Sequence, residues 1–327
     1  MKKWLMYISI FCSFTSFGQD AVSSQFWLLR AYHNPATSAL MEGDYRGFAM
    51  HRNQWRSVTS PFKTSIAQGE AKFFQGRGGY MGTSLVVIHD KAGTSQLGVF
   101  QANGGAAYHI KAGKDFISAG LSVGYRQRSI TVDGLLWDSQ YNGVGVDPTI
   151  ESGELFGNQQ SSSIDVSVGT HWQHRKRRNY DLGLALHHYG QASGFLDPTT
   201  EPLPFRYVAT FSWYEKVGPV NCSADLFATQ QGGARQIVGG VKGKHRVGSD
   251  SRYTSARTSS AVIAGVYHRI GDAMIVMLGY EYKRSLEAFV SYDLTTSNLT
   301  EISGIRGGWE IGVRWSGTYR ETRRKVR

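Results

Sequence analysis

Residues 307–315 read Gly307-Gly308-Trp309-Glu310-Ile311-Gly312-Val313-Arg314-Trp315, and their alternation decides the fold. Trp309, Ile311, Val313 and Trp315 fall on one face, and Gly308, Glu310, Gly312 and Arg314 on the other. A period of two is the pattern of a β-strand with unlike faces. Aromatic residues at both ends of the apolar face are what a strand crossing a bilayer carries at its two interfaces. Arg314 is one residue from the terminal aromatic, so its charge must point away from lipid, into a lumen. The stretch reads as the closing strand of an outer-membrane barrel, whose partners the rest of the chain should supply.

Upstream, alternation is almost continuous from Asp44. About fourteen candidate strands centre on Tyr45–Arg52, Thr64–Phe74, Gly79–His89, Gln96–His109, Asp115–Arg126, Ser163–Gln173 and Tyr180–Tyr189, then on Phe205–Tyr214, Val220–Thr229, Arg235–Val247, Ser260–His268, Ala273–Tyr282, Leu286–Leu294 and Gly307–Trp315. Ile117, Ala119, Leu121, Val123 and Tyr125 oppose Ser118, Gly120, Ser122, Gly124 and Arg126. Ile164, Val166, Val168 and Trp172 oppose Asp165, Ser167, Gly169, His171 and Gln173, and Leu182, Leu184 and Leu186 oppose Gly183, Ala185 and His187. A β-sandwich alternates in the same way, but its strands are mostly about five or six residues long. Strands of about ten residues cross a bilayer when tilted. The expected fold is all-β: a transmembrane antiparallel barrel of the outer-membrane type.

Composition agrees. The 327 residues include 39 Gly and only 7 Pro, and mean hydropathy is −0.32. No apolar run long enough for a membrane helix follows the N-terminus. Residues 1–18 read as a secretory signal: Lys2 and Lys3, an apolar Trp4–Phe14, then Ser16-Phe17-Gly18 as a small-residue cleavage site, with Gln19 as the new N-terminus. A lipoprotein signal at Cys12 fits less well, because Ser9-Ile10-Phe11 lacks the small residue it needs. Cys222 is then the lone cysteine, alternating with Val220, Ala224 and Leu226 as a small apolar side chain.

The net charge of +11 falls to +9 once Lys2 and Lys3 leave. The basic residues are scattered along the strands rather than gathered into a stripe, which argues against nucleic acid. The exception is residues 317–327, where Arg320, Arg323, Arg324, Lys325 and Arg327 face one acid, Glu321. This tail is either solvated or a periplasmic contact for an acidic partner or the cell wall. Residues 19–43 contain Tyr32-His33-Asn34-Pro35-Ala36, a turn starter without strand pattern, and form a periplasmic or plug-like segment before the barrel of residues 44–316. An even strand count returns both barrel ends to the periplasmic side. Connections after odd strands then face outward, among them Gln127–Ser162, Gly190–Pro204 and Thr295–Arg306. Gly248–Ser259 is long for the inner side, and marks a miscounted strand or a periplasmic contact loop.

The order of motifs resembles the PorP/SprF family of type IX secretion system membrane proteins. The resemblance is carried by Asn34, Pro35 and Ala36; by Arg52, Gln54 and Trp55 at the end of the first strand, followed by Thr64 and Ser65; by Ser291, Tyr292 and Asp293 with Ser297 and Leu299; and by Gly307, Gly308, Glu310 and Ile311. His188 and Gln191 also sit where members often carry His and Gln. Thr37-Ser38 departs from the family pattern, as does the long basic tail. The resemblance implies a barrel that assists or anchors rather than catalyses, linked to type IX export and gliding motility. It implies as partners a secreted surface protein with a type IX C-terminal sorting domain, and periplasmic ring components or a peptidoglycan-binding OmpA-like lipoprotein. Outer-membrane lipid surrounds such a barrel. Asn34, Pro35, Ala36, Arg52, Gln54, Trp55, Asp293, Gly308 and Glu310 are the motif positions to locate as partner contacts.

No chemistry-bearing motif competes. His187 and His188 are adjacent on a strand and should face opposite sides, and His171 should face the lumen and His174 the other side or the turn, so no metal or other cofactor is expected. Asp138, Asp147, Glu151 and Glu154 match no calcium-loop spacing. No G-x-S-x-G elbow exists, and Gly76-Arg77-Gly78-Gly79 is a strand turn. Trp213, Trp309 and Trp315 read as interfacial girdle. Trp55 is either a partner contact or a lock against the rim. The leading expectation is an adaptor of type IX secretion and gliding; the rival is a passive transporter of small or hydrophobic solutes, with residues 32–40 as its plug. A secreted soluble sandwich is the third reading.

Overall fold

The structure, a computed structural model, describes residues 20–55, 60–93, 97–130, 137–147, 149–151, 160–175, 179–189, 203–248, 259–297, 300 and 304–319. Its fourteen strands are β1 (Tyr45–Gln54), β2 (Phe62–Phe73), β3 (Gly79–Ala92), β4 (Leu97–Ala112), β5 (Asp115–Ser129), β6 (Gln160–Arg175) and β7 (Asn179–His187), followed by β8 (Arg206–Val217), β9 (Val220–Gln231), β10 (Ala234–Val247), β11 (Ser260–Arg269), β12 (Ala273–Tyr282), β13 (Leu286–Thr295) and β14 (Arg306–Gly317). Each pairs antiparallel with its sequence neighbours. β1 pairs with β14 from Tyr45 opposite Gly317 to Gln54 opposite Gly308, which closes the barrel. All candidate strands exist. Strands β11 to β13 have ten residues each, a bilayer's worth, whereas β3 to β6 run to 14–16 and project past it.

Tight turns join strands at the end where even strands finish. Gly113 and Gly218 there take φ of 66° and 58°, the left-handed region that two-residue hairpins require. The long connections leave the opposite end, which is the outer one. Strand β10 ends at Val247 and β11, its neighbour in the sheet, begins at Ser260; residues 249–258 of the long inner connection, where the sequence left a strand or a contact loop open, lie outside the described residues. So do most of residues 190–204 and the tail from residue 320.

The faces sort as the alternation requires. Ile311, Val313 and Trp315 are exposed on the outer wall, while Glu310 and Gly312 are buried inside. The lumen, however, is not polar throughout. Phe48, Met50, Ile66, Val86, Ile263, Tyr267, Ile275, Met277 and Phe289 point inward and are buried. On β12 both faces are therefore apolar from Ala273 to Leu278. The physical reason is the leading segment, which lies inside the barrel and supplies Phe26, Leu28, Leu29 and Tyr32 to one shared core. A filled interior packs to the density of a soluble core, so apolar inward side chains gain rather than cost.

Of the two paths expected for that segment, periplasmic or plug-like, the described residues follow the second. Asp20 to Gln25 lie at the outer end, against the last residues of β1, β5, β11 and β13. The chain then descends through a helical turn at Arg30–His33 and a 3-10 turn at Pro35–Thr37 to the periplasmic end, where Asp44 donates its N–H to Gly317 O at 2.8 Å. Residues 20–40 thus face wall and lumen rather than the periplasm.

Candidate functional site

Three clusters hold this plug. The first is built by strands whose inward phase ends in a charge at the outer rim. Arg52 of β1 bonds Glu310 Oε1 of β14 at 2.5 Å and Asp293 Oδ2 of β13 at 2.9 Å; Arg269 of β11 reaches the same Asp293 oxygen at 3.1 Å. Two acids and two guanidiniums balance. Into this group the plug inserts backbone: Ser24 N–H donates to Glu310 Oε1 at 2.6 Å and Gln25 N–H to Glu310 Oε2 at 2.9 Å. The Ser24 hydroxyl donates to Asp293 and accepts from Arg52 and Arg269. Arg52 is 1% exposed and Glu310 0%, so these charges answer one another rather than water, while Arg269 Nε is buried without a hydrogen-bond partner among the described residues.

The second cluster surrounds Asp20. Arg126 of β5 sits 2.8 Å from one oxygen; His188 and Arg206 are 2.9 and 3.1 Å from the other. Burial alone would raise the Asp20 carboxyl, but Arg126, His188 and Arg206 hold it well below the usual carboxylate range. His188 follows β7 with φ of +67°, which breaks the strand alternation and turns its ring into the lumen beside His187. Adjacent histidines were expected on opposite sides; the left-handed backbone brings them to the same one. The second His188 nitrogen faces Asp165 at 3.1 Å. A ring with a carboxylate at each nitrogen donates from both, which requires the imidazolium. Burial alone would lower the His188 pKa; Asp20 and Asp165 raise it.

The third cluster is a seat of small residues. An added Cβ at Gly82 would lie 2.1 Å from Ser38 O, and one at Gly120 2.5 Å from Pro35 O and Ala36 N. Only glycine lets the plug backbone approach so closely. Asn34 caps its own turn, accepting from Ala36 N–H at 2.9 Å, and donates to Thr170 O at 2.9 Å. His109 Nε2–H donates to Ser38 O at 2.8 Å, and Ala39 N–H donates to Glu70 Oε2 at 2.7 Å. Arg30 pairs with Asp181 at 3.2 Å. Beneath this seat a cavity of about 440 Å³ reaches the periplasmic strand ends, between Trp27, Arg30, Asp181, Tyr214, Lys242 and Glu287.

The motif positions therefore fall in two groups. Arg52, Gln54, Asp293 and Glu310 join one buried network, Gln54 Oε1 accepting from Arg52 Nε at 3.2 Å. Asn34, Pro35 and Ala36 form the seat contact on the other side of the lumen. Gly308 lies where β14 meets β1, an added Cβ there falling 3.0 Å from Asn53 O. Trp55, at φ +57°, donates its N–H to Gly307 O at 2.9 Å and packs edge-on against Phe62 at 4.9 Å, which is a contact along the rim. Sequence reasoning missed Ser24, Arg269 and Arg206 as partners. Arg269 did carry a signal: it continues the inward phase of Ala261, Ile263, Gly265 and Tyr267, and a charge in that phase needs a counter-charge.

A closed antiparallel barrel with an apolar outer band, an aromatic girdle and a plugged lumen is an outer-membrane protein by architecture. The family description "Type IX secretion system membrane protein PorP/SprF" matches residues 15–315, and the chain belongs to that family. No functionally curated protein matches it. Among solved structures the fold is similar to the Ralstonia pickettii toluene transporter TbuX (TM-score 0.51, 13% identity, 88% of this chain and 92% of that one). It is also similar to a mutant of the TodX monoaromatic hydrocarbon channel (TM-score 0.54, 12% identity, 88% and 93%).

Proposed function

We propose that this protein is a closed adaptor of the type IX protein secretion and gliding machinery, one that assists export or surface anchoring of secreted proteins without itself conducting them or catalysing a reaction. Family membership supports the machinery; the plug supports the closed state. The observation that carries the reading is the capture of Ser24 and Gln25 backbone by Glu310, within a buried cluster of paired charges. The outer connections are the proposed contact for a surface protein with a type IX C-terminal sorting domain. The periplasmic end, with the inner connection between β10 and β11 and the basic tail, is the proposed contact for ring components or a peptidoglycan-binding OmpA-like lipoprotein. Passage to the outer membrane after Sec-type export belongs to the same reading.

The test is gentle solubilisation of outer membranes and recovery of a tagged copy. Co-purification of one large surface protein, or of ring and lipoprotein, is expected; repeated recovery of the barrel alone at low salt contradicts it. A second reading, passage of small or hydrophobic solutes, is favoured by the cavity beneath the plug and by transport roles in the names of the similar barrels. It predicts uptake by the purified protein in vesicles without partners.

A further inference from the structure

Near the outer end, the outward faces of β1, β2 and β3 bring two lysines and two histidines together. Lys63 on β2 lies directly opposite Lys91 on β3, and two residues closer to the bilayer centre Ser65 lies opposite His89. His51 on β1 lies opposite Ser65 and bonds its hydroxyl at 3.0 Å. Lys63, His89 and Lys91 are exposed. The neighbouring acid does not answer them: Asp90 turns into the lumen and accepts from Thr64 at 2.5 Å. Neither lysine has an acidic partner among the described residues. By contrast, the outward positions of β11 to β13 carry no Lys, Arg, Asp or Glu.

Like charges directly opposite on a sheet destabilise it. A lysine pair kept there without a counter-charge calls for an anion from outside the chain. The level of the pair identifies the source. Asn53, opposite Lys63, is also opposite Trp309, and Trp309 is opposite Tyr292, so the lysines share a cross-strand row with the outer aromatic girdle. Trp309 also contacts the His51 ring at 5.7 Å. Girdle aromatics mark the headgroup level of a bilayer. The anion at that level is lipid phosphate, which a lysine ammonium binds as a compact point charge. We propose that Lys63 and Lys91, flanked by His51, His89 and Trp309, form a binding site for the phosphate of an outer-leaflet lipid headgroup. The site fixes the β1–β3 wall, which carries Arg52 on its inner side, against one lipid.

The experiment compares wild type with Lys63→Gln/Lys91→Gln and Lys63→Arg/Lys91→Arg. Each is extracted from outer membranes in mild detergent and the retained lipid is counted by native mass spectrometry. Delipidated wild type is then titrated with a phosphorylated glycolipid, the same glycolipid after phosphatase treatment, and inorganic phosphate, following the temperature at which the compact gel band is lost. The expected result is at least fivefold less retained phospholipid or phosphoglycolipid in the Gln variant, near-full retention in the Arg variant, and an upward melting shift only with the phosphorylated glycolipid. Equal retention in the Gln variant overturns the proposal. So does an equal shift with the dephosphorylated lipid, or the full shift from inorganic phosphate alone. The wild-type titration decides the question even if the Gln variant fails to fold.

Discussion

The two ends of the plug are held by opposite means. At the outer end, Asp20, Ser24 and Gln25 are held by charge: four ionised side chains around Ser24 and three around Asp20 and Asp165. In the middle, Asn34 to Ala36 are held mainly by shape, glycines on β5 and β6 letting the chain touch the wall, while His109 and Glu70 hold Ser38 and Ala39. Charge contacts are strong while complete and costly when one member leaves, since the others stay buried. Shape contacts are weaker singly but indifferent to pH. The outer end is therefore the end that a partner or a change of conditions releases first, and the seat is the hinge about which the plug would move.

The largest effect should come from Arg52→Ala. It leaves Glu310 and Asp293 with one guanidinium between them, and removing a partner from a buried pair costs about 3–5 kcal/mol. Loss of the compact gel band at markedly lower temperature, together with rapid hydrogen exchange at residues 20–25, is expected; an unchanged melt would place the plug's stability in the seat. Gly120→Leu attacks the other term. Overpacking costs about 1–3 kcal/mol, and here it should expel residues 34–38 while Ser24 stays protected. Simultaneous release of both ends would show that the two regions act as one.

His188 sharpens the comparison through pH. Its raised folded pKa means its stabilisation is complete below its ordinary value of 6.5 and fades as pH rises through the folded value. Asp20, lowered, contributes above its ordinary value of 3.8 and fades as pH falls through the folded one. Protection of residues 20–25 should therefore be greatest between those limits and fall toward alkaline pH, with no such fall in His188→Asn. Protection at residues 34–36, which no ionisable side chain of that pair touches, should follow neither. The smallest effect is expected from Trp55→Ala, which loses one edge-on ring pair worth about 0.5–1.5 kcal/mol. It should soften the β1–β2 connection and leave plug exchange unaltered.

The barrel was legible in the sequence because lipid imposes an unbroken period of two, as in Ile117 to Arg126. The plug was legible only as a segment without that period. Its outer anchor was not, because Arg52, Arg269, Asp293 and Glu310 come from four strands and meet only once β1 closes on β14. Nor does β12 itself announce that inward Ile275 and Met277 will meet a core filled by Phe26 and Leu28. His188 broke the adjacent-histidine rule through one left-handed backbone angle.

Planar-bilayer conductance of the purified wild-type protein beside Arg52→Ala asks whether a charge-held plug shuts the barrel. A shut barrel gives a silent wild type and frequent ohmic openings in the variant. Steady conductance of the wild type, equal to that of the variant, would contradict it.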